Sequence, residues 1–166
     1  MVTLETERLI LRELEGKDAE FMFELMTSEG WLKYIGDRNI QTVKDAENYI
    51  NDRIRKSYEE YGFGFYAIEL KSNGESTGIC GLVKRPELDH VDIGFGLLPQ
   101  YEGKGLGYEA SVALQKYAHE VLKIEKLLAI TLEINHRSIR LLEKLGLQFD
   151  KKIIYAEEEI LLYSEQ

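Results

Sequence analysis

Asp92-Ile93-Gly94-Phe95-Gly96-Leu97-Leu98-Pro99-Gln100-Tyr101-Glu102-Gly103-Lys104-Gly105-Leu106-Gly107-Tyr108-Glu109-Ala110 reads as a strand, a glycine-rich turn and the start of a helix. Gly103, Gly105 and Gly107 alternate with Lys104 and Leu106, so the backbone can bend sharply and approach a ligand with no Cβ in the way. The helix that follows begins with unpaired N–H groups and the positive end of its dipole, and turn and helix together make a cradle for a phosphate or pyrophosphate. The first inference is an anionic cofactor.

Downstream of that stretch, Ala110, Ala113, Leu114, Tyr117, Ala118 and Val121 set the buried stripe of the helix. A strand follows at 126–132. Asn135 caps the next helix, which carries Ile139, Leu142 and Leu145 inward and ends at Gly146 in the left-handed conformation. Strands near 148–154 and 159–163 close the chain. Upstream, 65–70 and 77–84 form a hairpin about Asn73-Gly74. Thr42 to Asp45 resembles a capping box, and behind it Val43, Ala46, Tyr49, Ile50 and Ile54 give an amphipathic helix to about Tyr58. Asp18 is a plausible cap for a helix with Phe21, Met22, Leu25 and Met26 inward. Residues 31–37 fit a short helical turn or a loop, and 3–14 a single opening strand. The order β-α-α-β-β-β-α-β-α-β-β predicts an α/β (α+β) fold with a mixed, mostly antiparallel sheet of about seven strands and about four helices.

A chain of 166 residues suits one domain spanning 1–166, able to bury about 70 % of its unfolded surface without a metal or a disulfide. The lone Cys80 forbids an internal disulfide, and the first residues lack the basic and apolar regions of a signal peptide, which predicts a cytoplasmic protein. No run approaches the roughly 18 apolar residues of a membrane span. The net charge of -9 opposes nucleic acid and anionic lipid as partners and favours a cationic substrate. Without a heptad pattern, monomer and homodimer are both open.

The cofactor cradle has three rivals. A nucleotide-triphosphate loop needs Ser or Thr after Gly-Lys, but no hydroxyl follows Lys104. A dinucleotide fingerprint puts a third glycine where bulky Tyr108 stands, and the long antiparallel region upstream also opposes a dinucleotide-dependent oxidoreductase. A turn that only tightens a strand-to-helix connection is the bland alternative.

The flanking residues decide between them. Gly103-Lys104-Gly105-Leu106-Gly107 after Leu97-Leu98-Pro99, with Asn135-x-x-Ser138 and Leu141-Leu142-Glu143-Lys144-Leu145-Gly146 downstream, resembles the GCN5-related N-acetyltransferases. Thr6-Glu7-Arg8-Leu9-Ile10-Leu11-Arg12 is similar to the openings of the branch containing the bacterial ribosomal-protein N-terminal acetyltransferases. The resemblance covers nearly the whole chain and implies acetyl-CoA as co-substrate, with no metal. It implies Gly103, Lys104, Gly105, Leu106, Gly107 and Tyr108 as the pyrophosphate cradle and a splayed strand whose Phe95, Leu97 and Leu98 meet the pantetheine arm. It also implies Asn135 on the cofactor arm and Ser138 near the sulfur. Two positions depart from the family pattern: Glu102 replaces a Gln or Arg, and Leu142 replaces a Tyr often used as general acid.

Acetyl transfer needs a neutral amine, so a base must take the ammonium proton, directly or through water. Asp92, on the strand that meets the cofactor, is the first candidate; a surface aspartate is its alternative. His90 shares its face, and Glu133 and Glu69 are weaker choices. Ser138 can return a proton to the sulfur, as can Tyr108 if its hydroxyl turns to the cleft. Cys80 suits a small buried residue better than an acetyl carrier. The family's arrangement implies Trp31, Tyr34, Phe63 and Tyr66 as walls of the acceptor pocket, with His90 nearby. The acceptor expected is a primary amine: a protein N-terminus, or a small amine such as an amino sugar, polyamine or drug. A non-catalytic acyl-CoA-binding module stays open.

Overall fold

The computed structural model describes residues 3–166. One eight-stranded sheet runs in the order β1-β2-β3-β4-β5-β6-β8-β7, from β1 (Thr3–Glu5), β2 (Leu9–Glu13), β3 (Phe65–Leu70), β4 (Ser76–Val83), β5 (Asp92–Leu97), β6 (Leu128–Thr131), β7 (Gln148–Tyr155) and β8 (Glu158–Ser164). Every neighbouring pair is antiparallel except β5 with β6. The mostly antiparallel mixed sheet is the one expected, with one strand more. Residues expected as a single opening strand fold back at Thr6–Arg8, where the Thr6 N–H donates to the Leu9 carbonyl at 2.9 Å and the Leu9 N–H to the Thr6 hydroxyl at 3.0 Å. That turn contains neither Gly nor Pro, so nothing local announces it.

The helices are α1 (Ala19–Met26), α2 (Glu29–Tyr34), α3 (Val43–Tyr49), a π-helical turn (Ile50–Ile54), α4 (Arg55–Tyr61), α5 (Leu106–Glu120) and α6 (His136–Lys144). Thr42 and Asp45 form the capping box. Asp18 does not cap α1 with its side chain: the carboxylate instead receives Arg12 Nη1 and Nη2 at 2.9 and 2.8 Å. Gly74 and Gly146 adopt the left-handed conformations that the hairpin and helix end require, at φ 75° and 90°. Val121, expected inward, is 62% exposed. Among the described residues no helix is long and apolar enough to cross a membrane.

Strand alternation divides the core between the two faces. Tyr66, Ile68, Cys80, Leu82 and Ile93 pack against Ala110, Leu114 and Ala118 of α5 and Leu142 of α6. On the opposite face Ala67 and Ile79 meet Met22, Leu25, Trp31, Ala46, Ile50 and Ile54 from the first helices. Cys80 is fully buried, and burial pushes its thiol up to about 12, so it remains an inert core residue.

A histidine at the end of α5 ties the helix to the chain after β8. Nδ1 of His119 lies 2.6 Å from the Ile124 carbonyl and Nε2 lies 2.9 Å from Glu165, whose carboxylate also accepts from Gln115 and the Leu127 N–H. Two acceptors satisfy only the imidazolium, in which both nitrogens donate. The Glu165 hydrogen bond accordingly raises the His119 pKa. A raised folded-state pKa gives stability that is complete below the unfolded value of about 6.5 and fades as pH rises through the folded value. The midpoint of thermal unfolding should therefore fall between pH 6 and pH 9, and His119→Gln should flatten that part of the profile. An unchanged slope in the variant would remove His119 from the account.

Candidate active site

The sheet opens between β5 and β6. Their one register pair is Asp92 with Leu128, closed by the Leu128 N–H donating to the Val91 carbonyl at 2.9 Å, and the strands part beyond it. The Leu98 N–H donates toward β4, to Thr77 O at 2.8 Å, whereas Val91 O faces β6. Backbone groups alternate along a strand, so those of Phe95 and Leu97 face the opening. Leu98, expected as a backbone contact there, has its N–H committed to β4 and its side chain buried.

The opening leads to the glycine turn. Gly103 and Gly105 have φ of 76° and 77°, which glycine alone adopts without strain, and no atom lies within 4 Å of where a Gly103 Cβ would stand. The first helical bond of α5 runs from the Glu109 N–H to the Gly105 carbonyl, which leaves the Leu106, Gly107 and Tyr108 N–H groups for an anion. These residues fit a diphosphate. Gly107 is needed for another reason as well: a Cβ there would come within 3.3 Å of Leu141 and 3.5 Å of Leu97, so the small residue lets α5 sit close to α6 and β5. Leu106 sends its side chain into the core.

The opening of the chain buttresses this turn. Glu109 accepts from the Thr6 hydroxyl, from Arg8 N at 2.9 Å and from Arg8 Nε at 2.7 Å, and Arg8 Nη1 donates to the Lys104 carbonyl at 3.0 Å. Arg8 and Glu109 stand 101 residues apart in sequence, so spacing offered no signal for them.

Asp92 lies at the closed end of the opening. It is 1% exposed and accepts from Arg85 Nε at 2.9 Å, while Arg85 Nη1 donates to the Tyr155 hydroxyl at 2.8 Å. Burial raises the Asp92 pKa to about 6, against the attraction of Arg85. Asp92 is thus neither a surface aspartate nor a group in contact with the cleft mouth. Its strand face continues through Gly94 and Gly96, which place no side chain along the way. Trp31 and Ile35 cover Gly96, and Phe65 covers Gly94.

Ser138 is buried in the first turn of α6, with its N–H capped by Asn135 Oδ1 at 3.2 Å. Asn135 therefore fills the capping role whatever else it contacts. Glu133 is turned away from β5: it pairs with Lys152 of β7 at 3.6 Å and is 70% exposed. Glu69 is bound by Arg12 at 2.8 Å on β3, two strands from the opening. Tyr108 lies under Lys144, whose Nζ is 4.6 Å from the ring centroid. His90 is exposed in the loop before β5.

The four aromatics do not form one wall. Trp31 is on the first-helix face against Gly96, with half-exposed Tyr34 on the same helix. Phe63 and Tyr66 belong to the α5-side core, and Tyr66 is fully buried and stacked on Tyr58 with ring centroids 5.7 Å apart. The sheet separates the two pairs, so Phe63 and Tyr66 are corrected to core residues. On the first-helix face an open cavity of about 430 Å³ next to Leu98 is lined by Glu20, Glu24, Glu75, Gln100 and Tyr101.

Residues 8–148 match the acetyltransferase (GNAT) domain family. The chain is 31% identical over 149 residues to the uncharacterized N-acetyltransferase p20 of Bacillus licheniformis, covering 89% of this chain and 83% of that protein. It is 24% identical to the spermidine N(1)-acetyltransferase of Escherichia coli (strain K12), covering 87% of this chain and 75% of that one. The structure superposes with a TM-score of 0.85 on the RimL ribosomal L7/L12 α-N-protein acetyltransferase in complex with coenzyme A, at 14% identity, covering 99% and 97% of the two chains, a likeness of fold. The parted strands, the glycine cradle and the family match together show that the chain belongs to the GNAT acetyltransferases and is an acetyl-CoA-dependent acyltransferase.

Proposed function

We propose that the protein moves the acetyl group of acetyl-CoA to a primary amine by direct attack, at the opening between β5 and β6. The observation that carries this reading is the single register pair joining those strands, beyond which they part toward the glycine cradle. Acetyl-CoA supplies the activated acyl group as a thioester. The N–H groups from Gly103 to Tyr108 hold its pyrophosphate, and the backbone of Phe95 and Leu97 holds its arm and offers an N–H to the polarised carbonyl. The amine enters from the first-helix face, beside Trp31, which with Ile35 covers Gly96.

Asp92 serves as the base through water. Gly96 is four steps along the strand from it, about 13 Å at 3.3 Å per residue, too far for contact. Gly94 and Gly96 add no side chain to that face of β5, and Phe65, Trp31 and Ile35, which cover it, are the groups a relay of water must pass. Ser138, buried in the first turn of α6, returns the proton to the sulfur.

The first acceptor proposed is a protein N-terminus. An α-amino group of pKa about 7.7 to 8.0 needs roughly 1 kcal/mol to lose its proton at neutral pH, against about 4 to 5 for a lysine-like amine near 10.4. A distant base suits the former. The acidic cavity beside Leu98 favours a second reading, a small polycationic amine. Incubation with isotopically labelled acetyl-CoA and either a protein extract or a metabolite extract, followed by mass spectrometry, separates them. Label on N-termini supports the first and label on a small amine the second. Tight binding of acetyl-CoA with no transfer to either would overturn the catalytic reading.

A further inference from the structure

One ion pair crosses the open end of the cleft. Glu102 immediately precedes Gly103, and Arg137 is the second residue of α6, the helix that follows β6; their side chains pair directly. A residue beyond β5 thus grips a residue beyond β6. The Glu102 carboxylate also lies near α2, where a Cβ on Gly30 would be 3.8 Å from its Oε1.

A carboxylate at the threshold of a diphosphate cradle repels the ligand that the cradle is built to hold. Other cations around the turn have other partners. Arg8 binds Glu109 and the Lys104 carbonyl, Lys104 Nζ sits 5.7 Å from the Tyr101 ring centroid, and Lys144 covers Tyr108. Arg137 is 63% exposed in its side chain and is held at that threshold by the very carboxylate that needs neutralising. A guanidinium matches a carboxylate and a phosphate with the same planar fork, so it can trade one for the other with little movement.

We propose that Arg137 is the cationic ligand of the cofactor's diphosphate and that Glu102 is its placeholder, holding the guanidinium over the cleft until phosphate oxygens replace the carboxylate. This rests on the cradle reading above. Glu102 then weakens cofactor affinity by competing for Arg137, and Arg137 strengthens it.

Calorimetric titration with coenzyme A, and with pantetheine as the same arm without phosphates, tests this on the wild type, Arg137→Gln, Arg137→Lys and Glu102→Gln. Arg137→Gln should weaken coenzyme A about tenfold, or about 1.4 kcal/mol, leave pantetheine unchanged and flatten the salt dependence. Arg137→Lys should fall between, and Glu102→Gln should tighten coenzyme A several-fold. Thermal unfolding without ligand checks that each variant is folded. Equal losses for coenzyme A and pantetheine, no loss in Arg137→Gln, or weaker binding in Glu102→Gln would overturn the proposal. A wild type that fails to bind coenzyme A would instead defeat the cradle reading, and it requires no variant to see.

Discussion

Asp92→Asn is expected to lower stability by about 3 kcal/mol and to remove the acid limb of the activity profile. The stability loss comes from Arg85, which would keep its charge in a mostly buried position after losing its counter-charge; breaking such a pair costs about 3 to 5 kcal/mol. Arg85 retains the Tyr155 hydroxyl, which places the loss at the lower end. The kinetic effect comes from the raised pKa of Asp92, about 6. A base must be ionised to work, so activity should rise with pH through about 6 in the wild type and lose that limb in the variant. Arg85→Met combined with Asp92→Leu separates the two roles, since replacing both partners with apolar groups should restore much of the melting temperature. If turnover returns with it, Asp92 is a structural residue only. If stability returns and turnover does not, its proton chemistry stands.

The second large effect belongs to the cradle. Gly103→Ala with Gly105→Ala should reduce affinity for coenzyme A about 100-fold, close to 2.7 kcal/mol. Both residues sit near φ +77°, where a Cβ costs roughly 1 to 2 kcal/mol per residue. The turn can escape that strain only by rotating the peptides whose N–H groups form the cradle. Gly146→Ala is the control: it carries the same kind of strain at φ +90°, at the end of α6 away from the turn. It should lose stability and keep cofactor affinity. Titration of coenzyme A beside thermal unfolding reads both quantities, and equal affinity losses in the two would mean that the cradle geometry is not what binds.

What sequence could reveal followed from whether a residue's role is local. The glycine turn, the Asn73-Gly74 hairpin, the Thr42 capping box and the Asn135 cap depend on neighbours within a few positions, and each stands where it was read. Alternation puts Asp92 on its strand, but its partner Arg85 comes from the preceding loop and Tyr155 from the β7–β8 pair, so neither its burial nor its pairing is legible in the sequence. Tyr66 and Phe63 failed as pocket residues because alternation fixes only that neighbours face opposite ways, not which face meets which helix. The turn at Thr6–Arg8 has no local signature because Glu109, a residue of a distant helix, helps hold it.

The parting of β5 from β6 also bears on how the chain avoids sticking to itself. The unpaired backbone of Phe95 and Leu97 is in effect an edge inside a sheet, and exposed edges invite strands of other molecules and so aggregation. A foreign strand, however, needs a slot of constant width, with about 4.8 Å to each neighbour. The wedge closes completely at Asp92 and Leu128, so no such slot exists along its length. A thin, flexible chain that widens toward its phosphates can follow the taper, whereas a peptide cannot. Substitutions that extend the β5–β6 pairing would stabilise the sheet and abolish binding together, so the protein gives up backbone pairing at this one seam for its activity.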